Sequence, residues 1–335
     1  MAAASTSPDA RPVLALSGGI GGAKLALGLS HALPDGALTI VANTGDDFDH
    51  LGLSISPDID TLTYVLSDLD NQQTGWGRRD ETWSFMETLG SLGGETWFKL
   101  GDRDLALHVE RTQRLRTGET LSAITADIAR RLGARARILP MTDDPVRTQV
   151  MTADGPLDFQ RYFVGMQCTP AVTGFRFAGV ENAVPHPALL VLLRDPRLRA
   201  VVICPSNPFI SVDPILALPG VRAALAACAA PIVAISPIIG GDAVKGPTAK
   251  MMRELRIAVT AASVADHYAG LIDGLIVDNA DAAITPAHPV ALDARPVLMR
   301  SLDDKIALAE ATLAFADRLA RQPPVHRKRR MMGAA

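Results

Sequence analysis

The sequence predicts an α/β protein built on a doubly wound, mainly parallel sheet, with a largely helical insertion over the sheet's carboxyl edge. Three observations predict it. The chain opens on an apolar strand at 13–16 that breaks into a glycine loop and resumes at helical spacing through Leu25, Leu29 and Leu33. Apolar runs rich in Val, Ile and Leu then recur with little polar alternation, as strands covered on both faces require. Helical segments separate them, and strand-helix-strand order implies parallel pairing, a Rossmann-like arrangement.

The first element carries the strongest chemical signal. Strand 13–16 runs into Ser17-Gly18-Gly19-Ile20-Gly21-Gly22-Ala23-Lys24. Glycine lets a backbone turn sharply and approach a ligand without a Cβ in the way. The free N–H groups of a helix start attract an anion, usually phosphate. Two familiar phosphate loops fail on specific residues. A Walker loop needs Gly before its Lys and Ser or Thr after it, whereas Ala23 and Leu25 flank Lys24. A dinucleotide fingerprint begins at Gly19-Ile20-Gly21, but Lys24 stands where its third glycine belongs. The second strand, 38–42, ends in Asn43 without a ribose-binding carboxylate. The plain alternative is a tight turn with no ligand.

Later strands are expected at 198–205, 231–236, 271–278 and 296–299, with helices at 221–227, 251–255 and 301–319. Residues 61–132 carry helical periodicity without good strands. Short strands follow at 138–141, 146–152 and 157–163, with a hairpin around Asp154-Gly155. This organisation reads as a single domain over 12–322, with a helical insertion at about 61–135 and a small β region at about 137–165. Residues 1–11 and 323–335, including the basic run at 326–330, are expected to be flexible tails.

Bulk properties narrow the function. The chain has 335 residues with 33 basic against 36 acidic side chains, a net charge of −3, which argues against nucleic acid as a partner. Cys168, Cys204 and Cys228 are scattered and form no metal-type pair, as in a reduced, cytoplasmic protein. No apolar run approaches the length of a membrane span.

In such sheets ligands bind beyond the carboxyl ends of the strands, so the loops there are the candidate site. The second strand leads into Asn43-Thr44-Gly45-Asp46-Asp47 and then Ser56-Pro57-Asp58-Ile59-Asp60-Thr61. Clustered carboxylates beside a phosphate loop suit a hard cation such as magnesium, and one could take a proton from an attacking hydroxyl. Helix capping accounts for one aspartate and leaves the others. Lys99-Leu100-Gly101-Asp102-Arg103-Asp104 presents Arg103, whose guanidinium can bind phosphate or stack on a planar ring. Cys204-Pro205-Ser206-Asn207-Pro208 and Ser236-Pro237-Ile238-Ile239-Gly240 end late strands and could read a base or sugar; stiff turns are the bland alternative. His50, His108, His186 and His267 are isolated, with no nucleophile elbow nearby.

Taken in order, these segments resemble the 2-phospho-L-lactate transferase family (CofD/FbiA type) of coenzyme F420 biosynthesis. The matching segments are Ser-Gly-Gly-x-Gly at 17–21, Asn-Thr-Gly-Asp-Asp at 43–47, Ser-Pro-Asp-Ile-Asp-Thr at 56–61, Leu-Gly-Asp-Arg-Asp at 100–104, Asp-Asp-Pro-Val at 143–146, Pro-Ser-Asn-Pro at 205–208 and Ser-Pro-Ile-Ile-Gly at 236–240. The resemblance implies a magnesium-dependent transfer. The ribityl hydroxyl of the deazaflavin Fo attacks the phosphorus of a guanosine diphosphate-activated three-carbon acid, GMP leaves, and a phosphodiester forms. It implies that Gly18, Gly19, Gly21 and Gly22 cradle the diphosphate, with Lys24 added from its position, and that Asp46 or Asp47 holds the cation. Asp60, with Asp58 beside it, and Arg103 fall at the Fo end, and Ser206, Asn207, Ser236 and Gly240 at the guanosine. A homodimer is implied as well. The three-carbon acid stays open between lactyl, enolpyruvyl and glyceryl forms. The rivals are a non-catalytic nucleotide- or deazaflavin-binding protein and a nicotinamide-dependent dehydrogenase, the latter opposed by the missing glycine and strand-end acid. Asp60→Asn is expected to lower turnover with the fold intact.

Overall fold

The computed structural model describes residues 9–321. Seven strands form one sheet in the order Ala291–Ala294, Gly274–Val277, Ile232–Ile235, Ala200–Ile203, Val13–Ser17, Leu38–Ala42 and Arg137–Pro140. Every neighbouring pair in it runs parallel. Successive side chains of a strand point to opposite faces, and the first strand feeds two cores. Leu14 and Leu16 pack in one cluster with Leu189, Met251 and Val264, whereas Val13 and Ala15 join Leu25, Leu29 and Leu308 in the other. Helices Pro187–Arg194, Thr248–Glu254 and Ala261–His267 therefore cover one face, and Gly19–Ala32 and Leu302–Arg321 the other.

The strand order positions the site. Val13–Ser17 has its chain successor Leu38–Ala42 on one side and the much later Ala200–Ile203 on the other. The order reverses there, and a crevice opens beyond the carboxyl ends at such a switch point. Ser17 and Cys204 stand at its lip.

Three strand boundaries differ from expectation. The last strand is Ala291–Ala294 rather than 296–299. Its Ala-Leu-Asp-Ala sequence has little β-branched or aromatic character, so no strand pattern marks it. Val297 and Met299 are buried all the same, and the Val297 N–H donates to Asp278 at 3.0 Å. Arg137–Pro140 is an edge strand of the main sheet, paired with Leu38–Ala42, and not part of the small β region. That smaller sheet is antiparallel and consists of Gly155–Asp158, Arg147–Thr152 and Gly174–Ala178. The strand expected at 157–163 ends at Asp158 and becomes a π-helical turn over Arg161–Gly165. Phe159 and Phe163 stack there at 5.4 Å, a helical four-residue neighbourhood rather than a strand alternation.

Helices Pro57–Leu66, Ser84–Ser91, Asp102–Arg116 and Leu121–Leu132 fill the stretch of helical periodicity, preceded by a hairpin of Phe48–His50 and Leu53–Ile55. Among the described residues no single helix is long and apolar enough to cross a membrane. The expected tails lie outside the described residues except for 9–11, where Arg11 forms ion pairs with Asp9 at 2.6 Å and Asp317 at 3.4 Å.

Candidate active site

The glycine loop is a tight corner. Gly19 turns with φ +66°, which starts helix Gly19–Ala32 directly after the strand. A Cβ on Gly21 would strike the Pro205 carbonyl oxygen, and one on Gly22 the hydroxyls of Ser17 and Ser206. These two glycines let the helix lie against the turn that ends Ala200–Ile203. Ser206 ties the loops together, accepting from the Gly18 N–H at 3.2 Å and donating to the Gly18 carbonyl at 2.7 Å.

Asp58 closes the corner from the other side. Its carboxylate accepts from the Gly19 N–H at 2.6 Å and from Asn43 Nδ2 at 2.9 Å. Asn43 stands at the end of the second strand and also donates to the Ile210 carbonyl at 3.2 Å, while its Oδ1 accepts from the Gly45 N–H at 2.8 Å. The residue that replaces a ribose-binding acid is thus the clasp between two loops. Burial raises the Asp58 carboxyl to about 6, against the pull of Asn43 and the Gly19 N–H.

Asp46 and Asp47 are buried as well; Asp46 interacts with both Asp58 and Asp47, whereas Asp47 also feels Arg147, Arg111 and Asp60. Burial, with Asp58 next, raises Asp46 well above its ordinary range. Burial raises Asp47 to about 8, opposed by the Ser56 hydroxyl, which donates to it at 2.7 Å. Asp46 Oδ1 and Asp47 Oδ1 are buried with no hydrogen-bond partner. Asp46 and Asp47 thus each offer an orphaned carboxylate oxygen, the hard donor type that a magnesium-type cation takes.

The last aspartate of Ser56–Thr61 belongs to a different network. Asp60 is gripped through both oxygens by Arg111, with the Arg111 Nη1 contact at 3.1 Å and a shorter one through Nη2. His108 Nδ1 lies 3.7 Å from Asp60, and His108 Nε2 lies 3.2 Å from Asp104. Tyr64 donates a short hydrogen bond to Asp104. Burial works against the Asp104 carboxylate, yet the His108 ring and the Tyr64 hydroxyl hold it below its ordinary value. Asp60, Asp104 and His108 also come close enough to share a metal ion. The carboxylate oxygens of Asp60 and Asp104, however, already face Arg111 and Tyr64, although His108 Nε2 is buried without a hydrogen-bond partner.

The remaining expected residues divide. Arg103 sits exposed in the first turn of Asp102–Arg116, and its backbone N–H donates to Glu81 at 2.8 Å. Asn207 caps the turn after Ala200–Ile203, accepting from the Phe209 N–H at 3.0 Å. The Ser236 hydroxyl bonds within its own turn, donating to the Ile238 carbonyl at 3.0 Å, while its N–H donates to the Ile276 carbonyl at 2.9 Å; the exposed Gly240 N–H donates to Asp281 at 2.9 Å. Lys24 is half-buried and donates to the Met299 carbonyl at 3.2 Å, one turn away from the glycine corner. Sequence reasoning names neither Arg111 nor Tyr64, and it gives no site role of their own to His108, Asp104 and Asn43. Asp104, His108 and Arg111 lie at i, i+4 and i+7, a polar stripe on one helix face that the helical period could have shown.

Fold and site together define an α/β transferase that acts on phosphate-bearing groups. The sequence profile described as 2-phospho-L-lactate transferase CofD matches residues 13–307, and the chain belongs to that family. It is 40% identical over 314 residues to a phosphoenolpyruvate transferase of Streptomyces griseus, covering 91% of this chain and 98% of that one. It is 39% identical over 271 residues to a 2-phospho-L-lactate transferase of Methanosarcina mazei, covering 81% and 88%. Among solved structures, protein BH3568 of Bacillus halodurans superposes with a TM-score of 0.59 at 18% identity, covering 90% of this chain and 99% of that one; this similarity concerns the fold.

Proposed function

We propose that this chain moves a phospho-(three-carbon acid) group from its guanosine diphosphate-activated donor to the terminal ribityl hydroxyl of Fo, in coenzyme F420 biosynthesis. The hydroxyl oxygen forms a bond to the phosphorus bearing the acid, the bond from that phosphorus to GMP breaks, and the hydroxyl proton passes to a carboxylate. The observation that carries the reading is buried Asp58 at the glycine corner with Asp46 beside it, and the orphaned oxygens of Asp46 and its chain neighbour Asp47.

Asp46 and Asp47 would hold magnesium, which neutralises phosphate charge when bound. Asp58 is the proton acceptor we favour over Asp60. A carboxyl raised to about 6 sits near neutrality, where a general base works best, and it adjoins the glycine corner. Asp60 is held by Arg111 and acts by positioning helix Pro57–Leu66. Orientation and charge neutralisation then supply most of the rate, as in other phosphoryl-type transfers.

Enolpyruvyl is the acid this reading favours. The Streptomyces relatives named phosphoenolpyruvate transferase align over 91% of the chain, against 81% for the Methanosarcina mazei protein. The test is a magnesium-dependent assay with Fo and the lactyl, enolpyruvyl and glyceryl guanosine diphosphates offered separately, products read by mass. A phosphodiester from the enolpyruvyl donor is the expected result. No product from any donor, with GDP or Fo still bound, would establish a binding protein instead.

A further inference from the structure

A cleft lies beside the glycine corner and carries four cations, Lys24, Lys245, Arg300 and Lys305, against one carboxylate, Asp70. Trp76, 49% exposed, forms part of its wall. Lys305 is only 8% exposed, and its ammonium makes no hydrogen bond or ion pair with a described residue. The side chains of Lys245 and Arg300 likewise form no ion pair with a described residue. Crowding four cations around one carboxylate adds repulsion that Asp70, which acts on both Lys24 and Lys305, offsets only in part. Burial, with Lys245 and Lys305 next, holds the Lys24 ammonium below its ordinary value. A fold that gathers excess positive charge in a concave site is built to receive negative charge from outside.

The position of the cleft relates it to the catalytic group. Ile20, one residue beyond Gly19, and Thr61, one helical turn beyond Asp58, both line it. At the glycine corner itself the first helix N–H already faces the Asp58 carboxylate. An incoming anion meets a negative group there and four positive groups a turn away. We propose that this cleft binds a diphosphate-class polyanion, whose oxygens are held by Lys24, Lys245, Arg300 and Lys305. Assigning that anion to the nucleotide donor rests on the transferase reading, whereas the anion site itself does not. The glycine corner then serves to bring the helix and Asp58 together, and the diphosphate lies one turn further along the helix.

The experiment is titration calorimetry of the full chain with inorganic pyrophosphate, GDP and guanosine. It compares the unaltered protein with Lys245→Gln/Arg300→Gln and with the control Arg176→Gln/Arg253→Gln, which removes the same charge elsewhere. Pyrophosphate and GDP should each bind at least tenfold more weakly to the cleft variant and unchanged to the control. Pyrophosphate that does not bind the unaltered protein, or that weakens equally in both variants, overturns the proposal. Pyrophosphate weakened with GDP unchanged identifies a free small anion as the occupant and overturns the donor assignment. Product formation is read separately by mass on the unaltered protein. Product with cleft-independent binding refutes only the cleft, and cleft-dependent binding without product refutes only the transfer.

Discussion

Arg111→Met tests the charge network on which Asp60 depends. Arg111 is 2% exposed and meets Asp60, itself 5% exposed, through both carboxylate oxygens. Its removal leaves the Asp60 carboxylate buried with only the His108 ring, 3.7 Å away, as a possible counter-charge. Breaking a buried pair in this way costs ~3–5 kcal/mol. An unfolding entropy of ~2.1 cal/mol/K per residue gives ~0.7 kcal/mol/K for a chain of 335 residues, so the melting temperature should fall by ~4–7 °C. Asp60→Asn strands the Arg111 cation instead and should also destabilise. The double variant Asp60→Asn/Arg111→Met removes both charges, and its cost should fall short of the sum of the singles by ~1–3 kcal/mol. Thermal unfolding by circular dichroism at pH 7, with chelator present, reads all three. A shift below ~1 °C for Arg111→Met, or strict additivity, would refute the reasoning. The expectation that Asp60→Asn spares the fold therefore gives way to a predicted loss of stability, and its turnover must be measured well below its own melting point.

Asp47 carries a pH signature. Its folded value of about 8 lies above the unfolded 3.8, so the stability it contributes is fully present below 3.8 and is lost as pH rises through 8. Between pH 5 and 7, without divalent ions, the unaltered protein should lose roughly 3 kcal/mol relative to Asp47→Asn, about 4 °C in melting temperature; parallel melting curves would contradict this. Magnesium should stabilise the unaltered protein at pH 7 and leave Asp46→Asn/Asp47→Asn unmoved, and an equal response in thermal shift would remove these residues from the cation site. Asp58→Asn should lower turnover by ~10²–10⁴-fold, and turnover of the unaltered enzyme should rise with pH through about 6; a flat profile would count against Asp58 as proton acceptor. Gly21→Ala drives a Cβ into the Pro205 carbonyl and should cost ~1–3 kcal/mol in unfolding experiments, with no cost if the turn simply shifts.

Much of the fold was legible because burial on both faces leaves a strong sequence pattern. The runs around Val13, Leu38, Val201, Val233 and Leu275 are apolar without alternation, and each lies in a central or near-central strand. The edge strands were the difficult ones. Ala291–Ala294 has one flank open and needs no strong β former, and Arg137–Pro140 reads equally well as part of the hairpin that follows it. The site shows the same division. Asp46 and Asp47 stand in the loop directly after a strand and Asp58 in the first turn of helix Pro57–Leu66, and the motif order marks all three as candidates. Arg111 lies 51 residues from Asp60, and Lys305 is far from Lys24 in sequence though it shares a cleft with it. Only the packing of helices Asp102–Arg116 and Leu302–Arg321 against the sheet's outer layer creates those contacts, and no window of sequence contains them.

Charge balance separates two acidic clusters that the sequence presents as one. Along Ser56–Thr61 the aspartates at 58 and 60 are two residues apart, so on helix Pro57–Leu66 they point about 200° from each other. Asp60 turns toward Asp102–Arg116 and finds a cation supplied by the protein. Asp58 turns toward the glycine corner and meets the Gly19 N–H, Asn43 and the Asp46 carboxylate, with no cation bonded to it. The first arrangement carries its own cation, and a metal there would compete with Arg111. The second has no bonded cation, although Arg147 and Arg111 act on Asp47 from its flank, and the orphaned oxygens of Asp46 and Asp47 mark where its hydrogen bonding is incomplete. A bound cation would engage those oxygens, and a phosphate-bearing substrate adds charge that only a cation or the neighbouring basic cleft can answer. The cluster without a bonded cation is therefore where chemistry belongs, and the one gripped by Arg111 holds the helix that carries it.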